Sequence, residues 1–171
     1  SSEDREKFKK IVNKLNLNQP KNGICYSVED GLEISKKIGF PVVIRPSFVL
    51  GGRGMEIIYN IQDLKTYLRK VLSFSNESIL IDQYLTNAIE VDVDAICDGK
   101  TVFVAGIMEH IEEAGIHSGD SACVIPTQSL SKKIIDNIET QTQKIALELN
   151  VRGLINLQFA IQNKKIFLLE V

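Results

Sequence analysis

Arg45-Pro46 closes the apolar run Val42-Val43-Ile44 and is followed, after Ser47-Phe48-Val49-Leu50, by Gly51-Gly52-Arg53-Gly54. A guanidinium buried beside such neighbours is costly unless an anion pairs with it, and its fork of donors suits phosphate. Glycines beside it let backbone N–H groups approach phosphate oxygens with no side chain in the way. The loop is not a Walker loop, because no Lys-Ser/Thr follows Gly54, and not G-x-G-x-x-G, because Ile57 stands where the third glycine would be. The same residues also read as a hairpin turn between strands with a surface arginine paired to a carboxylate.

A second group is made of oxygen ligands. A hairpin turn centred on Lys164 places Gln158 opposite Glu170, on one face with Asn156 and Leu168. An amide oxygen and a carboxylate converging there suit Mg²⁺, a hard cation that bridges phosphates. The alternative is a solvated outer face with a Gln-Glu hydrogen bond. Glu90 follows Asp82-Gln83-Tyr84-Leu85, where an apolar strand ends in a hinge. In a cleft between lobes, hinge backbone could pair with an adenine edge and a carboxylate could accept both ribose hydroxyls. Glu90, Asp92 and Asp94 also read as an exposed strand face, and that reading is preferred for Asp94. Gly115-Ile116-His117-Ser118-Gly119-Asp120 could fold over a ligand as a lid with His117 near phosphate, or stand as a plain exposed loop.

The elements that must hold these residues follow from periodicity and punctuation. Ser2 before Glu3 and Asp4, with Phe8, Ile11, Val12 and Leu15 at helical spacing, opens an amphipathic helix. Ile24 to Tyr26 is a short strand. Ser27 with Asp30 forms a capping box for a helix through Ile38 that Gly39 and Pro41 stop. Pro41 to Ile44 is buried-strand material. Asn60 with Asp63 starts a helix whose Leu64, Tyr67, Leu68, Val71 and Leu72 share a face, and Ile79 to Ile81 is another strand. From Glu90 the period becomes two, with a turn at Asp98-Gly99 and a partner strand through Val102 and Val104. A polar loop runs from about Ala114 to Ser121. Ser131 caps a long helix with Ile134, Ile138, Ile145 and Leu149 inward, and two strands joined near Asn163-Lys164 end the chain. The class is mixed α/β or α+β, with two lobes meeting near Tyr84 to Ile89.

Composition narrows the function. The 171 residues are 44% apolar, enough for a core, so disorder is excluded as the main state. With Lys+Arg 20 against Asp+Glu 22, the chain lacks the basic footprint of a nucleic-acid binder. Uncharged stretches such as Gly153 to Gln162 fall short of the ~18–20 residues that a membrane helix needs, and Ser-Ser-Glu-Asp-Arg-Glu-Lys is no signal peptide, so a soluble, unprocessed protein is expected. Cys25, Cys97 and Cys123 are widely spaced and without a C-x-x-C pair, which suggests free thiols in a reducing cytoplasm and no zinc site. His110 and His117 have no metal-binding spacing, so any metal would take mainly oxygen ligands.

Taken together, the segments resemble the ATP-grasp domain of carbamoyl-phosphate synthase large subunits nearly end to end. The resemblance is carried by Asp4-Arg5, Ile44-Arg45-Pro46-Ser47-Phe48, Glu90-Val91-Asp92-Val93-Asp94-Ala95, Gly115 to Ser121, Asn156-Leu157-Gln158-Phe159-Ala160 and Leu169-Glu170-Val171. Val49 to Ile57, Val93 to Gly99 and Ile107-Met108-Glu109-His110-Ile111-Glu112 resemble the carboxyl-terminal half, which phosphorylates carbamate.

The resemblance implies an ATP-grasp fold of two lobes with a nucleotide cleft, lobe one at about 18–85 with a phosphate loop at 47–55 and lobe two at about 86–171. It implies Arg45 as the catalytic grip on ATP phosphates, Gly51 and Gly52 as the flexible loop, Gln83 and Leu85 at adenine, and Glu90 at ribose. Gly115, Ile116, His117 and Ser118 would line the nucleotide, and Gln158 and Glu170 would bind Mg²⁺ or Mn²⁺. K⁺ is implied near Glu90 and His110. The implied partners are ATP, carbamate, the remainder of the large subunit and a glutamine amidotransferase small subunit, with no nucleic acid and no membrane. The family continues after Glu170-Val with Asn-Pro-Arg, so a partial domain, impaired alone, is expected. The alternatives are another ATP-grasp enzyme such as a biotin-dependent carboxylase, or a non-catalytic nucleotide-binding scaffold.

Overall fold

The structure is a computed structural model that describes residues 2–46, 55–74, 77–113 and 122–171. In chain order it contains α1 (Ser2–Lys14), β1 (Asn22–Cys25), α2 (Val28–Ile38), β2 (Val42–Pro46), β3 (Glu56–Ile58), α3 (Ile61–Leu72) and β4 (Ile79–Gln83). It continues with β5 (Ile89–Asp98), β6 (Val102–Glu113), β7 (Cys123–Val124), α4 (Lys132–Glu148), β8 (Arg152–Gln162) and β9 (Lys165–Glu170). The class is α+β, as expected. Contacts divide the chain into residues 20–84 and residues 1–19 with 85–171.

The 20–84 unit is a sheet of order β1-β4-β2-β3 with α2 and α3 on one face. Ser27 Oγ accepts from Asp30 N–H (3.1 Å) at the start of α2, and the Asp30 carboxylate reaches back to the N–H of Tyr26 (3.3 Å). The capping box is therefore present, one residue wider than its usual form. Asn60 Oδ1 accepts from the N–H groups of Gln62 and Asp63 and starts α3. Alternation then sends Val42, Ile44, Ile79 and Ile81 to the helices, where they pack with Leu64 and Leu68. Gly31 makes the close approach of α2 possible, because a Cβ there would run into the buried Leu68 side chain.

The other unit is a sheet of order β7-β6-β5-β8-β9. Its inner face, Val91, Val93, Leu157, Phe159, Ile161, Ile166 and Leu168, packs on Ile138 and Ile145 of α4 and Val12 of α1. Burying each such side chain is worth about 1.5–3 kcal/mol. Residues after α1 seal the β9 edge, with Asn18 O accepting from Leu168 N–H at 2.8 Å. Ser131 caps α4, as expected. Leu149 departs from expectation: it is the C-cap and 40% exposed, because the helix ends before that residue can turn inward.

A contact that the sequence reading missed fixes the approach to α4. Glu109 of β6 accepts hydrogen bonds from Gln128 N–H (2.7 Å), Ser129 N–H (3.0 Å) and the Ser129 hydroxyl. Burial raises the Glu109 carboxyl, but these three donors outweigh it and hold the group below the ordinary glutamate value. Among the described residues, no helix is long and apolar enough to cross a membrane.

The β8–β9 hairpin corrects one step of the sequence argument. Asn163 and Lys164 both have positive φ, so they form a two-residue turn, and the ladder runs Gln162↔Lys165, Ile161↔Ile166 and Phe159↔Leu168. That register is centred between Asn163 and Lys164, not on Lys164. An irregularity between Gln158 and Phe159 then takes up Leu169 as an extra residue, and Gln158 pairs with Glu170 after all. Leu168, expected beside them, lies on the inner face against Phe159.

Candidate functional site

Each sheet covers one face with helices, and Arg45, Glu90, Gln158 and Glu170 lie on the other, while Gln83 shares the helix side of β4 with Ile79 and Ile81. On the four-stranded sheet, alternation places Val43 and Arg45 of β2 with Leu80 and Asp82 of β4 on that outer face. Arg45 is not buried, contrary to the premise that made it costly: its side chain is 52% exposed, and Nη2 lies 2.9 Å from Asp82 Oδ2. The second reading, an arginine paired to a carboxylate between antiparallel strands, thus describes Arg45 as it stands. The pairing takes one end of a fork with further donors, so it leaves Arg45 able to hold an anion as well.

Gln83 ends β4. Its N–H donates to Lys21 O (2.7 Å), and its side-chain Oε1 accepts from Lys21 N–H (3.2 Å). Leu85 is buried and packs with Ala88 and Ala160, bordered by Phe167 and Leu169.

The outer face of the five-stranded sheet is acidic. Glu90 pairs with Ala160, Asp92 with Gln158 and Asp94 with Asn156, so three carboxylates of β5 share a face with the amides of β8. Glu90 is buried at 5% exposure, against the reading of this run as a solvated strand face. Asp94 is exposed, as preferred, and accepts from Asn156 Nδ2 at 2.8 Å. His110 on β6 places Nε2 2.9 Å from Asp92 Oδ2, a pair that the sequence reading missed. Against an ionised Asp92, Nε2 carries the proton and donates. The hairpin turn at Asp98-Gly99 was the signal for this pair, but irregularities in the β5–β6 ladder hide the register from the sequence.

Electrostatics on this face call for a cation. The Cys123 thiol is pushed up by burial first and then by the carboxylates of Asp92, Glu112 and Glu90. Asp92 Oδ1 is buried without a hydrogen-bond partner among the described residues, one strand from Gln158. Half-buried Gln158 and exposed Glu170, paired across β8 and β9, add an amide oxygen and a carboxylate. The donor chemistry fits a hard divalent cation. Among the described residues, no three His, Cys, Asp or Glu side chains are gathered tightly enough to hold a metal by themselves.

Of the sequence candidates, Arg45 and Gln83 fall in the 20–84 unit, and Leu85, Glu90, Gln158 and Glu170 in the other. Gly51, Gly52, Gly115, Ile116, His117 and Ser118 lie outside the described residues.

Comparison with known proteins identifies the family. The carbamoyl-phosphate synthase L chain, ATP binding domain, matches residues 4–171. This chain belongs to that family. It is 54% identical over 171 residues to the carbamoyl phosphate synthase large chain of Vibrio cholerae, covering 99% of this chain and 16% of that protein. It is 53% identical to the carbamoyl phosphate synthase large chain, C-terminal section, of Aquifex aeolicus, covering 99% of this chain and 32% of that protein. The chain thus spans about a sixth of the length of the Vibrio large chain. In solved structures, the biotin carboxylase–beta-gamma-ATP complex of Campylobacter jejuni superposes with a TM-score of 0.77 at 19% identity, over 98% of this chain and 39% of that one. The fold of this carbamoyl-phosphate synthase domain is ATP-grasp, as the sequence resemblance implied.

Proposed function

We propose that this chain is the MgATP-binding domain of the carboxyl-terminal half of a carbamoyl-phosphate synthase large chain and phosphorylates carbamate. The reading is carried by the pairing of Gln158 with Glu170, brought about by the bulge in β9, on an acidic sheet face, in a chain that matches this family from residue 4 to residue 171. The match to a relative described as a carboxyl-terminal section supports the choice of half.

In this reading a carbamate oxygen attacks the γ-phosphorus of ATP. A new P–O bond forms, the bond to the β,γ-bridging oxygen breaks, and its electron pair leaves with ADP. Arg45 would hold phosphate oxygens and offset the charge that grows on them, which is the main work in phosphoryl transfer. Gly51 and Gly52 would present backbone donors. Since the Gln83 N–H already serves Lys21, its carbonyl oxygen and the backbone of Leu85 would meet the adenine edge. Glu90 would accept the ribose hydroxyls, and Gly115, Ile116, His117 and Ser118 would line the nucleotide. Gln158 and Glu170 would hold Mg²⁺ or Mn²⁺, which neutralises phosphate charge when bound, and Glu90 with His110 would stand at a K⁺ site.

Lobe one of the domain is assigned to about residues 18–85 and lobe two to about residues 86–171. The remaining large chain and a glutamine amidotransferase small subunit complete the cytoplasmic enzyme.

The test is ATP synthesis from MgADP and carbamoyl phosphate by the large chain that carries this domain. Activity is expected, with Arg45→Ala weakening MgATP binding about 10- to 100-fold by calorimetry. ATP hydrolysis stimulated by bicarbonate, without carbamoyl-phosphate turnover, would favour the carboxylase reading. Loss of neither activity nor affinity in Arg45→Ala would remove the phosphate role.

A further inference from the structure

We propose that Asp82 is a positioning residue for Arg45: it anchors one end of the guanidinium to the central strand β4 and so presets the donors that remain for phosphate. The proposal rests on the reading of Arg45 as a phosphate contact, and its own observation is the geometry of the pair.

Arg45 precedes Pro46, which restricts its backbone to the extended region and commits the side chain to the outer face of β2. There it is long, half exposed and rich in rotamers, a poor starting point for a defined grip. Asp82 is the opposite. It lies on β4, which is hydrogen-bonded on both sides to β1 and β2, and its short side chain is only 11% exposed. The ladder pairs Arg45 with Leu80 and Asp82 with Val43, so the two charges meet on the diagonal, with Nη2 and Oδ2 2.9 Å apart.

The neighbours of Asp82 on this face are Val43 and Leu80, both buried and apolar, and, across β1, the exposed Asn22. A carboxylate in such surroundings brings a desolvation cost, and a pair whose cation is half exposed returns little net stability. Orientation is what the pair does supply. The ion pair holds one end of the planar fork against the strand that leads directly into Gln83, which limits where the guanidinium can sit and leaves the remaining N–H groups to meet an anion. A lysine could not be anchored and still present a second, separately aimed donor set.

The experiment is a double-mutant cycle with Asp82→Asn and Arg45→Ala, read in two ways. NMR of the Arg45 Nε–H follows guanidinium motion without any ligand. Calorimetry and initial rates follow MgATP affinity and the split between KM and kcat. Asp82→Asn is expected to speed exchange and reorientation of the Arg45 Nε–H. It should also weaken MgATP binding about five- to tenfold with kcat changed little, since an anchored and a free arginine make the same contacts once bound. Asp82→Glu, which keeps the charge, should recover part of the loss.

On an Arg45→Ala background, Asp82→Asn should have no further effect on MgATP. Unchanged Arg45 Nε–H dynamics in Asp82→Asn would overturn the anchor. So would a full Asp82→Asn effect on the Arg45→Ala background, or tighter MgATP binding in Asp82→Asn, which would make Asp82 a competitor of phosphate. If Arg45→Ala alone leaves MgATP affinity unchanged, the phosphate reading has failed, while the NMR arm still decides whether Asp82 orients Arg45.

Discussion

The two sheets reach the same arrangement, helices on one face and chemistry on the other, by different means. In the four-stranded sheet the β2–β4 ladder runs unbroken from Val42↔Gln83 to Pro46↔Ile79, and simple alternation delivers Arg45 and Asp82 to the outer face. In the five-stranded sheet the ladders are interrupted between Gln158 and Phe159 and twice between β5 and β6. Were Leu169 paired regularly with Gln158, Glu170 would oppose Leu157 and point at α4. One cationic side chain on a regular strand needs no such device. A carboxylate at the end of a hairpin whose other residues already serve the core does, and a bulge is the local means of re-aiming it.

The largest expected effect comes from disturbing that bulge. An alanine inserted between Leu169 and Glu170 should move the glutamate opposite Leu157, on the buried face, and weaken Mg²⁺-dependent nucleotide binding about 100-fold. Deletion of Leu169 should be tolerated far better, because the glutamate then meets Gln158 in the regular register set by the turn. Titration of both variants with MgATP separates the cases, and equal losses would mean that the bulge does not set the face of Glu170.

A smaller effect tests how the five-stranded unit holds α4. Glu109→Gln should lower stability by about 1–2 kcal/mol at neutral pH, since charged hydrogen bonds to Gln128 and Ser129 are lost. The folded-state pKa of Glu109 lies below its unfolded value, so this contribution is present above the ordinary glutamate range and is lost as the pH falls through the lowered value. Urea unfolding from pH 7 to pH 3 should therefore show the wild type and the variant converging at the acid end. A constant gap would assign the effect to packing instead.

The smallest effect lies in the turn that sets the register. Lys164 has φ 64°, a conformation that glycine adopts more readily. Lys164→Gly should raise stability by about 0.5–1 kcal/mol, read from the urea midpoint, and leave MgATP binding unchanged.

Local rules made much of this fold legible. Ser27, Asn60 and Ser131 were readable as caps because a cap bonds N–H groups two or three residues ahead, and the structure has all three. Glu109 performs a comparable task for Gln128 and Ser129 across another strand, and no spacing in the chain announces it. Arg45 was legible as a residue needing an anion, but that Asp82 supplies one depends on which strand lies next to β2, and the neighbour is β4. A turn centred on Lys164 predicts the pairing of Gln158 with Glu170; the turn in the structure lies half a residue away, and the bulge restores the pairing.

The sequence by itself determined the element types, the helix starts, the mixed α+β class and, through separated motifs, the carbamoyl-phosphate synthase family. These depend on contacts within a few residues or on patterns that survive without coordinates. Tertiary structure alone decided that Arg45 is half exposed and tied to Asp82, that Glu90 is buried, that His110 meets Asp92, and that Leu168 and Glu170 face opposite sides. Each of these turns on strand order or on a one-residue change of register. Side chains alternate with period two along a strand, so a single unseen residue reverses every face beyond it.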